Sequence, residues 1–252
     1  MVDQTPLLRL QANKAAVGLV LCHGFTGSMT EIRDCAEWLY QQGCSVSAIL
    51  LPGHGTRPED LAETRWYDWY ARLEQAYLAL KPNCSRVFLL GVSLGGMLSL
   101  RLASLHPELA GVVSMGTPLR LVDPLAKPWL IRLASHFMRY SPTTVDPEQT
   151  GFYYDRRPLR AILQLMDARD DCEKRLGSIY CPVLLLHARA DGTAKFCSAE
   201  ILMRRLASPH KYLYAPDMAE HVFLPPYTNA EYLKVWQLIL NFVQNPTKNP
   251  VR

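Results

Sequence analysis

Short apolar runs alternate with segments of helical periodicity along most of this chain. The runs are rich in β-branched residues and end near glycine or proline, which is typical of strands buried on both faces of a sheet. We predict such strands at residues 17–22, 45–50, 86–90, 111–115, 183–187 and 211–214. Helical spacing predicts the intervening helices at 31–42, 66–80, 94–106, 197–207 and 230–243. The alternation predicts an α/β fold with a mainly parallel, doubly wound sheet.

The alternation stops between residues 117 and 182. Two helical patterns, at 126–139 and 159–169, replace the expected strands. This segment follows the strand that ends near residue 115, so we expect it at the carboxyl edge of the sheet, where open α/β sheets bind their ligands. We predict a single domain over residues 1–252, with residues 118–181 inserted as a small helical cap.

Composition narrows the class of protein and its partners. The chain has 252 residues, 49% of them hydrophobic, which is enough for a large core. The net charge is +4, but no run of Lys and Arg is interleaved with aromatics, so we expect no nucleic acid partner. No signal peptide and no integral membrane segment is expected. Seven cysteines without disulfide or metal-site spacing predict reduced thiols, no bound metal and a cytoplasmic protein.

The segment GVSLGG, residues 91–96, places Ser93 between a predicted strand and a predicted helix. Small residues are needed two positions before and after such a serine, because strand and helix approach closely there, and Gly91 and Gly95 meet this need. The pattern is that of a nucleophile elbow. It predicts Ser93 as a nucleophile and the backbone N–H of Leu94, at the start of the helix, as an oxyanion donor.

The remaining parts of a serine nucleophile site follow from chain order. A second oxyanion donor is expected in a loop after the first clear strand, where the N–H of Phe25 lies. Among the seven histidines, His221 follows the last strand in a loop that would overhang the carboxyl edge, and it is our candidate base. Asp191, just beyond the strand at 183–187, is our candidate acid. Asp217, four residues before His221, is the rival.

Five separated motifs resemble the α/β-hydrolase superfamily: HGFTGS (23–28), LPGHG (51–55), GVSLGG (91–96), LLLHARAD (184–191) and the late His221. Within it, the chain is similar to the bacterial carboxylesterase and monoacylglycerol lipase branch. The resemblance implies an α/β-hydrolase fold and a cofactor-free serine hydrolase that cleaves carboxylic esters, with Ser93, Asp191 and His221 as the triad. Residues 192–195 and 219–220 depart from the usual pattern of these relatives.

The resemblance also implies that the cap shapes an apolar acyl pocket. Trp129, Leu130, Leu133 and Phe137 share one face of the predicted helix at 126–139, and we predict that they bind substrate. The alternative is that this face only packs the cap onto the core.

A small-molecule ester is the expected partner, with the chain a monomer or weak dimer. Thioesterases, amidases and slow ligand-sensing members of the fold use the same triad, so these activities stay open.

Overall fold

The computed structural model describes residues 3–123, 127–142, 153–224 and 230–251. Its strands are β1 (Leu7–Arg9), β2 (Ala15–Cys22), β3 (Ser45–Ile49), β4 (Cys84–Val92), β5 (Gly111–Met115), β6 (Tyr140–Pro142), β7 (Arg156–Pro158), β8 (Val183–Leu186) and β9 (Lys211–Tyr214). Its α-helices are α1 (Arg33–Gln41), α2 (Pro58–Ala62), α3 (Trp66–Leu80), α4 (Leu94–Leu105), α5 (Pro128–Ala134), α6 (Leu159–Arg175), α7 (Cys197–Arg205) and α8 (Ala230–Gln244).

A seven-stranded sheet in the order β1-β3-β2-β4-β5-β8-β9 forms the centre of the molecule. Every pairing in it is parallel except that of β1, which runs antiparallel to β3 at one edge. Helices α3, α4 and α7 cover one face, and α1 and α8 cover the other. The apolar strands are therefore buried on both faces, which confirms the predicted doubly wound α/β class.

Four short elements were absent from our predictions. Strand β1 has only three residues and one buried side chain, and α2 is a five-residue helix begun by Pro58. Strands β6 and β7 form a separate two-stranded sheet in the cap region. Elements this short contain too few residues to show a hydrophobic period.

The segment between β5 and β8 leaves the sheet at its carboxyl edge, while β5 pairs directly with β8. The predicted helix at 126–139 is shorter than expected, since α5 covers 128–134 and residues 124–126 lie outside the described ranges. The second helix is longer and continues to Arg175. Hydrogen bonds tie this region to the core, among them one from the Tyr154 hydroxyl to the Gly53 carbonyl at 2.8 Å.

All seven cysteines are free thiols, and six of them are buried. Within the described ranges, no helix combines the length and the apolar character that a bilayer crossing requires.

Candidate active site

Ser93 occupies a sharp turn between β4 and α4. Its backbone has φ 52° and ψ −111°, a left-handed conformation that costs a non-glycine residue about 1–3 kcal/mol. The Ser93 N–H donates to the Met115 carbonyl of β5 at 2.7 Å, which fixes the turn against the sheet. Strain held by surrounding structure in this way is a recognised property of nucleophile positions.

The glycines beside Ser93 explain how the turn can be this tight. A Cβ on Gly91 would collide with the Gly95 carbonyl, and a Cβ on Gly95 would collide with the carbonyl of Cys22 at the end of β2. Helix α4 therefore begins in direct contact with two strands. Its first N–H groups, including that of Leu94, lack intrahelical acceptors and point their positive ends toward the carboxyl edge.

His221 and Asp191 meet at this edge. His221 Nδ1 lies 2.7 Å from Asp191 Oδ2. The other oxygen of Asp191 accepts the N–H groups of Thr193 at 2.8 Å and Ala194 at 2.9 Å. Burial alone would raise the pKa of Asp191, but these hydrogen bonds and the neighbouring His221 outweigh it and hold the pKa below its usual value. The carboxylate thus keeps its charge and selects the His221 tautomer protonated on Nδ1.

The structure separates Asp191 from its rival. Asp217 has a side chain that is 90% exposed and pairs with Arg189 at 3.4 Å, whereas the Asp191 side chain is fully buried. The 192–195 segment, which departs from the pattern of the relatives, supplies the two backbone donors that hold Asp191. A different side-chain sequence at 192–195 therefore still holds the Asp191 carboxylate, because the donors are backbone N–H groups.

The loop after β2 supplies the other predicted oxyanion donor. It turns at residues 24–27, closed by the Gly27 N–H donating to the Gly24 carbonyl at 3.2 Å, with Thr26 at φ 60°. His23 anchors the loop, since its Nε2 accepts the Leu51 N–H at 3.1 Å and its Nδ1 lies 2.9 Å from the Gly24 carbonyl. Burial lowers the pKa of His23 to about 4, so the ring is neutral and structural.

A cavity of about 870 Å³ opens at this edge, between the sheet and the cap region. Ser93, Phe25 and His221 line one side of it. His221 Nε2 is buried and has no hydrogen-bond partner within the described part of the chain, so it is available to accept a proton. The opposite side is mainly apolar, and its members from the cap region include Leu130, Ile131, Ala134, Met138, Leu159, Ile162 and Leu165.

Comparison with known proteins decides the family. The model of the family described as Serine aminopeptidase, S33 matches residues 12–154, more than half of the chain and the part that contains the elbow and the 24–27 loop. The chain belongs to this family of α/β-hydrolases.

Individual relatives place the hydrolase among lipases and esterases. It is 30% identical to a thermostable monoacylglycerol lipase from Bacillus sp. (strain H-257) over 230 residues, which cover 88% of this chain and 91% of the relative. It is 27% identical to a carboxylesterase from Bacillus subtilis (strain 168), over 81% of this chain and 84% of the relative. A solved structure from work on the metagenome-derived lipolytic enzymes LipS and LipT matches with a TM-score of 0.85 and 26% identity, covering 96% and 97% of the two chains.

The side of the cap region that faces the cavity differs from the acyl-binding face that the sequence predicts. Leu130 lines the cavity, but Trp129, Leu133 and Phe137 are 64%, 56% and 83% exposed and do not. The cavity instead meets Leu130, Ile131, Ala134 and Met138, a face rotated around the helix. Apolar residues surround most of α5, so its periodicity does not specify which side turns inward.

Two parts of the hydrolase's site were missed from the sequence. Gly116, at φ 57°, follows β5, and a Cβ there would lie 2.8 Å from the His221 carbonyl oxygen and 3.0 Å from its Cε1. Glu31 is buried and lines the cavity near Ser93. A glycine after a strand is a weak signal by itself, and Glu31 lies in a segment that reads as the start of an ordinary helix.

Proposed function

We propose that this hydrolase cleaves carboxylic esters through Ser93, His221 and Asp191, by way of an acyl-enzyme intermediate. The observation that carries the proposal is the Asp191–His221 hydrogen bond at 2.7 Å. It leaves His221 Nε2 buried, without a partner among the described residues, in the cavity that Ser93 also lines. The relatives named as lipase and carboxylesterase support the ester as the substrate class.

In the proposed reaction, the Ser93 hydroxyl attacks the ester carbonyl carbon while His221 Nε2 accepts the hydroxyl proton. The N–H groups of Phe25 and Leu94 stabilise the oxyanion that forms. His221 then gives the proton to the departing alcohol as the C–O bond breaks. A water molecule enters, loses a proton to His221 and attacks the acyl-enzyme, which releases the acid and restores Ser93.

The cavity supports short- to medium-chain acyl esters or monoacylglycerols as substrates. Its cap side is mainly apolar, although Asp123, Ser141 and Arg157 also line it, and its sheet side includes Ser93, Glu31 and His221. Such a division suits an acyl chain on one side and a reacting ester on the other. We further propose that residues 118–181 act as a cap on a single domain, and that the seven free thiols reflect a cytoplasmic location.

The deciding experiment is steady-state turnover of p-nitrophenyl esters from acetate to palmitate. We expect sustained turnover with a maximum at short or medium chains, and Ser93→Ala should lower kcat by about 10⁴-fold or more. Ser99→Ala, a buried serine on the same helix, is the matched control and should stay within about twofold of the parent. Absence of turnover on every ester, with turnover of acyl thioesters or amides instead, would contradict the proposed substrate class.

A further inference from the structure

Glu31 is a buried carboxyl group that the proposed mechanism does not use. Its residue is only 3% exposed, yet it lines the cavity together with Ser93 and His221. Burying such a group is costly unless its oxygens receive hydrogen bonds, so its partners indicate what the group does. We propose that Glu31 is a positioning residue that holds the 24–27 loop in the conformation presenting the Phe25 N–H to the oxyanion. This inference rests on the proposed function.

The contacts of Glu31 lead directly to the loop. Glu31 Oε2 accepts the Gly24 N–H at 2.6 Å, and the Tyr153 hydroxyl also hydrogen-bonds to this carboxyl group. The Gly24 amide is the peptide unit just before the one that carries the Phe25 N–H. Because consecutive peptide planes share one Cα, fixing the first amide restricts the direction of the second to the rotation allowed at Gly24. Glycine has the widest allowed range, so an external hydrogen bond is needed at this position.

The loop also wraps closely around the carboxyl group. A Cβ on Gly24 would lie 3.2 Å from Ser93 Cβ and 3.4 Å from Glu31 Oε2, so Gly24 is close to both side chains. At the other end of the turn, a Cβ on Gly27 would collide with the same carboxyl group. Both glycines of the turn therefore contact Glu31, as expected if the side chain is a support for the loop.

The surroundings of Glu31 fit a hydrogen-bond acceptor that supports the loop. Burial raises the pKa of Glu31, while the Gly24 N–H, the Tyr153 hydroxyl and His221 oppose that rise. The positioning role requires only an acceptor oxygen for the Gly24 N–H, which Glu31 Oε2 supplies at 2.6 Å. An uncharged side chain of the same length and with the same acceptor should therefore replace it.

The test compares Glu31→Gln with Glu31→Met. Both variants keep the side-chain length and remove the charge, but only Gln keeps an oxygen for the Gly24 N–H. Losing an oxyanion donor costs about 10²–10³ in kcat, and a misdirected donor should cost less. With p-nitrophenyl butyrate we expect Glu31→Met to lower kcat about 30-fold with KM within about threefold, and Glu31→Gln to stay within about threefold in kcat.

A second readout isolates the oxyanion. A trifluoromethyl ketone with a butyl chain forms a tetrahedral adduct with the serine, so its inhibition constant reports on the oxyanion donors. We expect Glu31→Met to weaken this inhibitor by about the same factor as kcat, and Glu31→Gln to leave it nearly unchanged. Equal behaviour of the two variants, or a loss of kcat without weaker inhibition, would overturn the positioning role.

Controls separate this inference from the proposed function. If the parent enzyme and Ser93→Ala are equally inactive on esters, the proposed function fails. If the parent is active and Ser93→Ala inactive while Glu31→Met equals the parent, only the role of Glu31 fails. Should Glu31→Met not fold, Tyr153→Phe removes one donor to the carboxyl group, and we expect a loss of about threefold in both kcat and inhibitor affinity; no loss would overturn the inference.

Discussion

The two walls of the cavity differ in how their residues are held. On the sheet side, Ser93 and Asp191 are 8% and 6% exposed, and main-chain hydrogen bonds or close backbone contacts fix each of them. On the cap side, α5 has no buried residue, and Leu130 reaches the cavity through a half-buried side chain. The comparison leads us to expect that substitutions on the sheet wall change kcat and that substitutions on the cap wall change acyl preference.

The largest expected effect is that of a substitution at Asp191, on the sheet wall. Asp191→Asn keeps the shape of the side chain but puts the wrong hydrogen-bond pattern against His221 Nδ1, so we expect kcat to fall by about 10³–10⁴-fold. Asp217→Asn, on the exposed rival in the same region, should leave kcat within about twofold. Steady-state kinetics on p-nitrophenyl butyrate check both, and a larger loss in Asp217→Asn would mean that the acid is misassigned.

The burial of His23 on the sheet side should make the free energy of unfolding depend on pH. The folded protein keeps His23 neutral with a pKa of about 4, against an ordinary value of 6.5. As the pH falls below 6.5 the unfolded chain takes up this proton and the folded protein does not, so stability is full above pH 6.5 and is lost toward pH 4.

Urea unfolding measures this effect. The free energy of unfolding should fall by about 2 kcal/mol between about pH 7.5 and about pH 5 on account of His23. His23→Gln cannot take up the proton, so its free energy of unfolding should fall by about 2 kcal/mol less than that of the parent over the same pH range. An equal fall in the free energy of unfolding of the variant and the parent would show that His23 is not the group responsible.

The smallest expected effect lies on the cap wall. Leu130→Trp should narrow the acyl site and lower kcat/KM for a dodecanoate ester about tenfold relative to butyrate, since a mismatched methylene or two costs about this much. Phe137→Ala, on the exposed side of the same segment, should leave the chain-length profile within about twofold. A shift of the chain-length profile in Phe137→Ala alone would favour the predicted face that contains Trp129, Leu133 and Phe137.

The residues of the sheet wall could be predicted from the sequence because the contacts that require them are local. Gly91 and Gly95 are required at fixed distances from Ser93 by backbone contacts with their neighbours, whatever packs around them. The strands β2, β3, β4, β5 and β8 were predicted for a similar reason, since burial on both faces leaves continuous apolar runs. The order of the motifs then placed His221 and Asp191 at the same edge, where the structure finds them in contact.

The cap wall and the supports of the loop could not be predicted in this way. The inward side of α5 depends on where α6 and the cavity lie, which no local period records. Glu31 contacts Gly24 across a seven-residue separation, from the end of a one-turn helix. The spacing of Ser28 and Glu31 indicates the start of a helix and not this contact. Gly116 matters only because the His221 loop, more than a hundred residues later, packs against it. Each of these features is a tertiary contact rather than a local preference.

The direct pairing of β5 with β8 has a consequence for how this scaffold can vary. Four residue pairs, from Val112–Val183 to Met115–Leu186, set the register of the two strands without any contribution from the chain between them. The length and sequence of that intervening chain can therefore change while β5 and β8 keep their register. Acyl preference should therefore be alterable by exchanging parts of this segment, with residues 120–122, which bond to the 193–195 segment, and Tyr153, which bonds to Glu31, kept in place.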